Sequence, residues 1–137
     1  MALILDTNVI SRMRRMERTP PAFRHWAQGV DHEAVYLSAI TLMEIENGII
    51  GAEHRDRPFA AILRTWQDQV LARFAGRIIP VDHGVALRCA RLNAIRSIDV
   101  PDALIAATAL DHRLTLVTHN VRHFTGFGLD ILNPFPA

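Results

Sequence analysis

Short apolar runs alternate with longer segments of mixed polarity along this chain. The runs are continuous rather than alternating in polarity, which is typical of strands buried on both faces of a parallel sheet. They predict strands at Ala2–Leu5, Ala34–Leu37, Arg77–Val81 and Leu114–Val117, with a weaker fifth at Leu129–Leu132. The first run stops abruptly at Asp6, so polar side chains are expected where this strand ends.

Helices are predicted between the strands from capping residues and from apolar positions spaced three and four apart. The predicted helices and their expected boundary residues are Pro20–Gln28 (Thr19 before it, Gly29 after it), Ala39–Ile50 (capped by Ser38, ended by Gly48 and Gly51), Pro58–Phe74 (opened by Asp56), His83–Ile95 (capped by Asp82) and Pro101–Ala109. Strands separated by helices favour right-handed crossovers and a parallel sheet covered on both faces. The expected fold is α/β, as a single domain over residues 1–137.

Composition limits the class of protein. Half of the 137 residues are hydrophobic, so the chain has enough apolar surface to build a core and is not expected to be disordered. No apolar run approaches the roughly 20 residues that span a bilayer, and the start of the chain lacks a basic leader region. A single cysteine, Cys89, fits a reducing compartment. We expect a cytoplasmic protein that is not bound to membranes.

Net charge is only +1, so overall charge indicates no partner. All 15 basic residues are arginine, however, and Arg12, Arg14, Arg15 and Arg18 follow the first strand closely. This run is either a solvated helix face or a contact for nucleic acid.

Acidic and polar residues recur where parallel strands should end. Asp6 follows the first strand, Glu44 lies on the helix after the second, and Asp102 begins the helix before the fourth. Open parallel sheets bind their ligands at this edge. Carboxylates brought together repel one another unless a cation neutralises them, and oxygen ligands favour Mg²⁺ or Mn²⁺. The sequence therefore predicts a divalent metal site.

Each acid also has a purely structural interpretation. Asp6 is a suitable N-cap for the next helix, and Asp102 suits the positive end of a helix dipole. Glu44 is harder to explain in this way, because isoleucines surround it on an apolar helix and a buried acid needs a partner. Asp99 is either a helix cap or a possible additional acid in the same cleft.

Four segments in order resemble a PIN domain, most closely the toxin ribonucleases of the VapC and FitB type in type II toxin–antitoxin systems. They are Leu3-Ile-Leu-Asp6-Thr7-Asn8, Ser38-x-x-Thr41-x-x-Glu44-x-x-x-Gly48, Asp102-Ala-Leu-Ile-Ala-Ala-Thr108-Ala and Leu116-Val-Thr118-x-Asn120-x-x-x-Phe124. The resemblance implies a three-layer α/β/α PIN-like fold with four to five strands and a Mg²⁺- or Mn²⁺-dependent endoribonuclease acting on structured RNA such as tRNA or rRNA.

The resemblance also implies roles for individual residues. Asp6 and Asp102 would be the principal metal ligands, and Glu44 would orient the attacking water or bind a second ion. The polar residues that would support these acids are Thr7, Asn8, Thr118 and Asn120. Many relatives carry another acid where Asn120 or His123 stands, so a second metal site is in question here. A VapB-like antitoxin and a homodimer are the expected partners.

Two other functions stay open from the residues alone. The first alternative is a catalytically silent PIN-like domain that dimerises through the apolar stripe from Phe59 to Phe74. The second is a Mg²⁺-dependent phosphatase with Asp6 as nucleophile. His119 and His123 are expected in a loop, near solvent or phosphate. Trp26 and Trp66 are expected in the core or a dimer contact.

Overall fold

Five short parallel strands form the centre of the protein in a computed structural model, which describes residues 1–136. The strands are β1 (Leu3–Leu5), β2 (Val35–Ser38), β3 (Ile78–Ile79), β4 (Thr115–Val117) and β5 (Ile131–Leu132). They are ordered β3-β2-β1-β4-β5, so β1 lies in the middle. The predicted strands are confirmed, including the weaker fifth. Ala137, the last residue of the predicted domain, lies outside the described residues.

Seven α-helices connect the strands within residues 1–136. They are α1 (Thr7–Met13), α2 (Pro21–Gly29), α3 (Ala39–Glu53), α4 (Arg57–Arg73), α5 (His83–Ile95), α6 (Val100–Asp111) and α7 (Val121–Phe124). No helix in this part of the chain is both long and apolar enough to cross a membrane. Two single 3₁₀ turns, Met16–Arg18 and His32–Ala34, complete the connections.

Two hydrophobic cores lie on opposite faces of the sheet. Leu3 and Leu5 point into a core formed with α1 to α4, whereas Ile4 between them points into a core formed with α5 to α7. Successive side chains of a strand face opposite sides, so these three buried residues serve both cores. The architecture is therefore the expected three-layer α/β/α arrangement.

Two predicted helix boundaries were wrong. Gly48 and Gly51 were expected to end α3, but both lie inside a helix that continues to Glu53. Their helix is held by packing of Ile45 and Ile49 against the core, which outweighs the roughly 1 kcal/mol penalty of each glycine.

Thr19 was expected to cap α2, but the N-cap is Pro20. The Thr19 hydroxyl instead donates a hydrogen bond to the Met16 carbonyl at 2.5 Å and so closes the preceding 3₁₀ turn. Both Trp26 and Trp66 pack against the core on the α1 to α4 face, as expected.

The strand order reverses at β1. The chain runs from β1 outward to β2 and β3, then returns to place β4 and β5 on the other side. Such a reversal leaves a crevice at the carboxyl ends of the two strands that flank it. Asp6 follows β1 and Thr118 follows β4, so both lie at this crevice.

Candidate active site

Asp6 lies at the centre of the crevice with both carboxylate oxygens engaged. It is the N-cap of α1, and its Oδ1 accepts a hydrogen bond from the Thr7 amide at 2.8 Å. Its Oδ2 accepts from the Asn8 side-chain amide at 2.9 Å and from the Thr118 hydroxyl at 2.7 Å. Asp6 is only 4% exposed. The capping interpretation is confirmed, and the same carboxylate also faces the other acids.

Thr7 connects Asp6 to the second acid. Its hydroxyl donates to Glu44 Oε1 at 2.5 Å and lies 3.1 Å from the Thr41 hydroxyl. Thr41 and Glu44 are both on α3, which begins where Ser38 caps it after β2. The half-buried Glu44 carboxylate therefore has the polar partner that its apolar surroundings require.

Asp102 enters the crevice from the first turn of α6. Its Oδ2 lies 3.2 Å from Nδ1 of His123. His123 is on the short helix α7, so the expectation that it lies in a loop was wrong, whereas His119 does lie outside the helices and strands. Asp99 occupies the N-cap position of α6 but makes no capping hydrogen bond through its side chain. Asp99 and Asp102 instead line one pocket of about 240 Å³.

The three carboxylates perturb one another electrostatically. Burial raises the pKa of Asp6, and the negative charge of Asp102 raises it further, against the lowering effect of the Thr118 hydrogen bond. Burial likewise raises the pKa of Glu44, with Asp102 and Asp6 adding to the shift. The three side chains thus lie near enough to repel one another, although their ligand atoms are not all within 4.8 Å of each other.

The arrangement suits a hard divalent cation. The ligand atoms offered are carboxylate oxygens, and the donors that hold Asp6 and Glu44 are neutral hydroxyl and amide groups. Within residues 1–136 no arginine forms an ion pair with Asp6, Glu44 or Asp102. Their negative charge is thus left for a cation to neutralise, and Mg²⁺ or Mn²⁺ matches these ligands.

A second acidic group lies at the opposite end of α6. Asp82, Asp111 and His112 are the one His, Cys, Asp or Glu triplet in the described chain whose ligand atoms all lie within 4.8 Å of one another. All three residues are exposed. Asp82 also caps α5, and Asp111 lies 3.4 Å from the Arg88 guanidinium. This group therefore lacks the burial and the uncompensated charge of the Asp6 region.

Comparison with known proteins assigns the chain to a family. The sequence pattern of the PIN domain matches residues 3–125, which include every residue of the candidate site. The chain belongs to the PIN-domain family.

Relatives that match nearly the whole chain are named a ribonuclease and a toxin. The chain is 33% identical to the VapC ribonuclease Y4jK of Sinorhizobium fredii over 97% of each chain. It is 33% identical to toxin FitB of Neisseria gonorrhoeae, over 97% of this chain and 98% of that protein. The crystal structure of FitAcB from Neisseria gonorrhoeae superimposes with a TM-score of 0.84 at 34% identity, covering 96% of this chain and 97% of that one. The protein is a PIN domain of the VapC and FitB type.

The remaining site residues of this PIN domain are assembled by hydrogen bonds. Asn8 accepts a bond from the His119 amide at 3.3 Å through its side-chain oxygen, and Thr118 accepts one from the Asn120 amide at 3.0 Å. Asn120 thus joins the network through its backbone, and its side chain is exposed at the N-cap position of α7. The sequence did not predict the contact between His123 and Asp102, because α7 has only four residues and little periodicity.

Cation binding is expected to stabilise the fold. The pKa of Asp6 in the folded protein lies above its ordinary value of 3.8. The metal-free fold therefore loses stability as the pH rises from that ordinary value through the raised pKa of the folded state. At neutral pH, a cation whose free concentration is 100 times its Kd adds about 2.7 kcal/mol to the free energy of unfolding and raises the Tm by several degrees. Thermal unfolding with Mg²⁺, with Mn²⁺ and with EDTA measures this effect. Asp6→Asn should abolish the shift and Asp68→Asn, at an exposed acid on α4, should retain it.

Proposed function

We propose that this PIN domain is a Mg²⁺- or Mn²⁺-dependent endoribonuclease and the toxin of a type II toxin–antitoxin pair. The observation that carries the proposal is the placement of Asp6, Glu44 and Asp102 around one crevice, where no arginine within residues 1–136 forms an ion pair with them. The ribonuclease and toxin names of relatives that match along nearly the whole chain support it.

Asp6 and Asp102 are the proposed metal ligands. Asp6 is held rigidly, because three hydrogen bonds fix the positions of both its oxygens. Asp102 is fixed by its contact with His123. Mg²⁺ or Mn²⁺ at these carboxylates would supply Lewis-acid stabilisation of charge on a phosphodiester and would make water a stronger nucleophile.

Glu44 is the proposed acceptor of a proton from the attacking water, or a ligand of a second ion. Thr7 occupies Oε1 of Glu44, which leaves Oε2 for the reaction. Its raised pKa suits proton transfer near neutral pH better than an ordinary carboxylate would. The water oxygen bonds to phosphorus as its proton passes to Glu44, the bond from phosphorus to the 3′ oxygen breaks, and that oxygen takes a proton from solvent. The products carry 5′-phosphate and 3′-hydroxyl ends.

The proposed substrate is structured RNA, of the tRNA or rRNA class. Repulsion between the acidic crevice and phosphates must be offset by basic side chains around it. Arg122 lines the pocket beside Asp102, and the Arg12 guanidinium lies 5.0 Å from the Phe135 ring, which packs 4.8 Å from the His119 ring. A-form helices hide base edges from side chains, so recognition would depend on RNA shape and exposed loop bases.

Two protein partners belong to the proposal. A VapB-like antitoxin would lay a peptide across the crevice, where a basic side chain would complement the uncompensated carboxylates. The homodimer would use exposed apolar side chains of α4, where Phe59 and Ile62 lie on neighbouring sides of the helix and are 39% and 57% exposed.

Glu44→Gln is expected to lower the cleavage rate at least about tenfold with little change in Tm. The amide oxygen still accepts the Thr7 hydrogen bond, whereas the proton acceptor is lost. Glu46→Gln is the matched control, since Glu46 lies two residues along α3 and binds Arg64 and Gln67 away from the crevice. Rates on a labelled structured RNA with Mn²⁺ measure both variants. Equal rates for Glu44→Gln and the control would remove Glu44 from the mechanism.

A further inference from the structure

Arg96 makes an unusually complete set of contacts with backbone carbonyl groups beside the candidate active site. It follows the end of α5 and is half-buried. Nη2 donates to the carbonyls of His123 and Thr125, both at 2.8 Å, and approaches the Arg122 carbonyl at 3.4 Å. Nε donates to Thr125 at 3.2 Å and Nη1 donates to Ser97 at 3.3 Å.

Three of the four carbonyls that Arg96 contacts, those of Arg122, His123 and Thr125, are at the carboxyl end of α7. A helix leaves its last carbonyls without internal partners, and a cation there is favourable. A helix of four residues has little stability of its own, so an external partner must hold it. Arg96 is that partner, because it ties α7 to the loop between α5 and α6.

An aromatic ring fixes the guanidinium from its other side. The Arg96 guanidinium carbon lies 4.4 Å from the centre of the Phe127 ring, and Phe127 is buried. Gly126 and Gly128 on either side of it have φ values of 91° and 77°, a conformation that favours glycine. Arg96 is thereby held between a rigid turn and α7.

The consequence of this arrangement reaches Asp102. His123 is on α7, and its Nδ1 lies 3.2 Å from Asp102 Oδ2. From these contacts we infer that Arg96 is a positioning residue, which holds α7 so that His123 donates to Asp102 and fixes that carboxylate for the cation. This inference rests on the proposed metal site. Polar groups that orient a ligating carboxylate typically contribute about 10- to 100-fold to metal affinity.

The chain contains a matched control for this role. Arg77 makes the same type of contact at the opposite end of the sheet, where it donates to the carbonyls of His32, Val35 and Arg73 at 2.6 to 2.7 Å. Its guanidinium carbon lies 5.0 Å from the centre of the Phe74 ring. Arg77 is also half-buried. Loss of either arginine should therefore lower the stability of the fold by a similar amount. Only Arg96 is connected to a candidate metal ligand, because it binds α7, whose His123 contacts Asp102.

The test measures Mn²⁺ affinity by titration calorimetry on the full chain, together with Tm. His123→Ala and Arg96→Met should each weaken Mn²⁺ binding about tenfold, and the double variant should bind no more weakly than His123→Ala alone. His123→Asn should restore affinity, because its Nδ2 can replace the Nδ1 donor. Arg77→Met should lower Tm without changing Mn²⁺ affinity. If Arg96→Met unfolds, Arg96→Lys replaces it. Lysine retains the charge but not the several guanidinium contacts, so this variant should also weaken Mn²⁺ binding.

Three results would overturn the inference. They are unchanged Mn²⁺ affinity in His123→Ala, equal affinities for the Arg96 variants and Arg77→Met, and additive losses in the double variant. Failure of the proposed function is separable from these, because it would appear as absence of Mn²⁺ binding by the wild-type protein or as binding that Asp102→Asn leaves intact.

Discussion

Replacing Asp6 or Asp102 by asparagine is expected to reduce RNA cleavage by at least about 1,000-fold. Each change removes a negatively charged oxygen from the proposed cation site, and the stabilisation that a metal gives a phosphoryl transition state is worth several kcal/mol, at 1.36 kcal/mol per tenfold in rate. The substitution preserves side-chain volume, so the cores on both faces of the sheet should be unaffected. The measurement is the rate of cleavage of structured RNAs in Mg²⁺ or Mn²⁺, with the ends of the fragments mapped.

Asp68→Asn provides the reference for these variants. Asp68 is exposed on α4, so the Asp68→Asn variant should cleave RNA at the wild-type rate. Fragments with 5′-phosphate ends that require both the metal and Asp6 would support the proposed mechanism. A phosphorylated Asp6 with intact RNA would support the phosphatase alternative instead. Inactivity of the wild type on a broad RNA panel, with no metal binding, would support the silent-domain alternative.

Phe23→Ala is expected to lower the free energy of unfolding by about 3 to 5 kcal/mol. Phe23 on α2 is fully buried, and its ring stacks on Phe135 with a centroid separation of 4.5 Å. Truncation loses the burial of the ring and leaves a cavity that the sheet and the helices around it cannot close. Denaturant unfolding followed by tryptophan fluorescence reports the change, since the Trp26 ring lies 5.6 Å from Phe23.

Phe59→Ala is the control for ring removal. Phe59 is 39% exposed, so its loss should cost no more than about 1 kcal/mol in the monomer. A loss at Phe23 of the same size as at Phe59 would mean that the α1 to α4 core does not depend on this ring.

The fold could be predicted from local patterns because they agree with the tertiary packing. Ile4 and the residues on either side of it are continuously apolar because the strand is buried on both faces. The helix boundaries failed where local preference and packing compete. Gly48 would end an isolated helix, but α3 continues through it because its apolar residues are buried on the sheet.

The candidate site likewise has residues that could be predicted from the sequence and contacts that could not. Asp6 and Asp102 could be predicted because one follows a strand and the other begins a helix at the same edge of the sheet, and Glu44 because it is an acid on an otherwise apolar helix. The contact of His123 with Asp102 could not, since it depends on Arg96 and on a turn around Phe127 that are distant in sequence and carry no periodic signal. Long-range hydrogen bonds to the backbone leave no pattern in the residue types.

The central position of β1 has a consequence for when the candidate site can form during synthesis. Asp6 is translated before the Thr118 hydroxyl that binds its carboxylate, which lies 112 residues later in the chain. A domain generally folds as a unit during synthesis. The candidate site is therefore incomplete until Thr118 has been translated, and a chain truncated before β4 would lack both a strand neighbour of β1 and this hydrogen bond to Asp6.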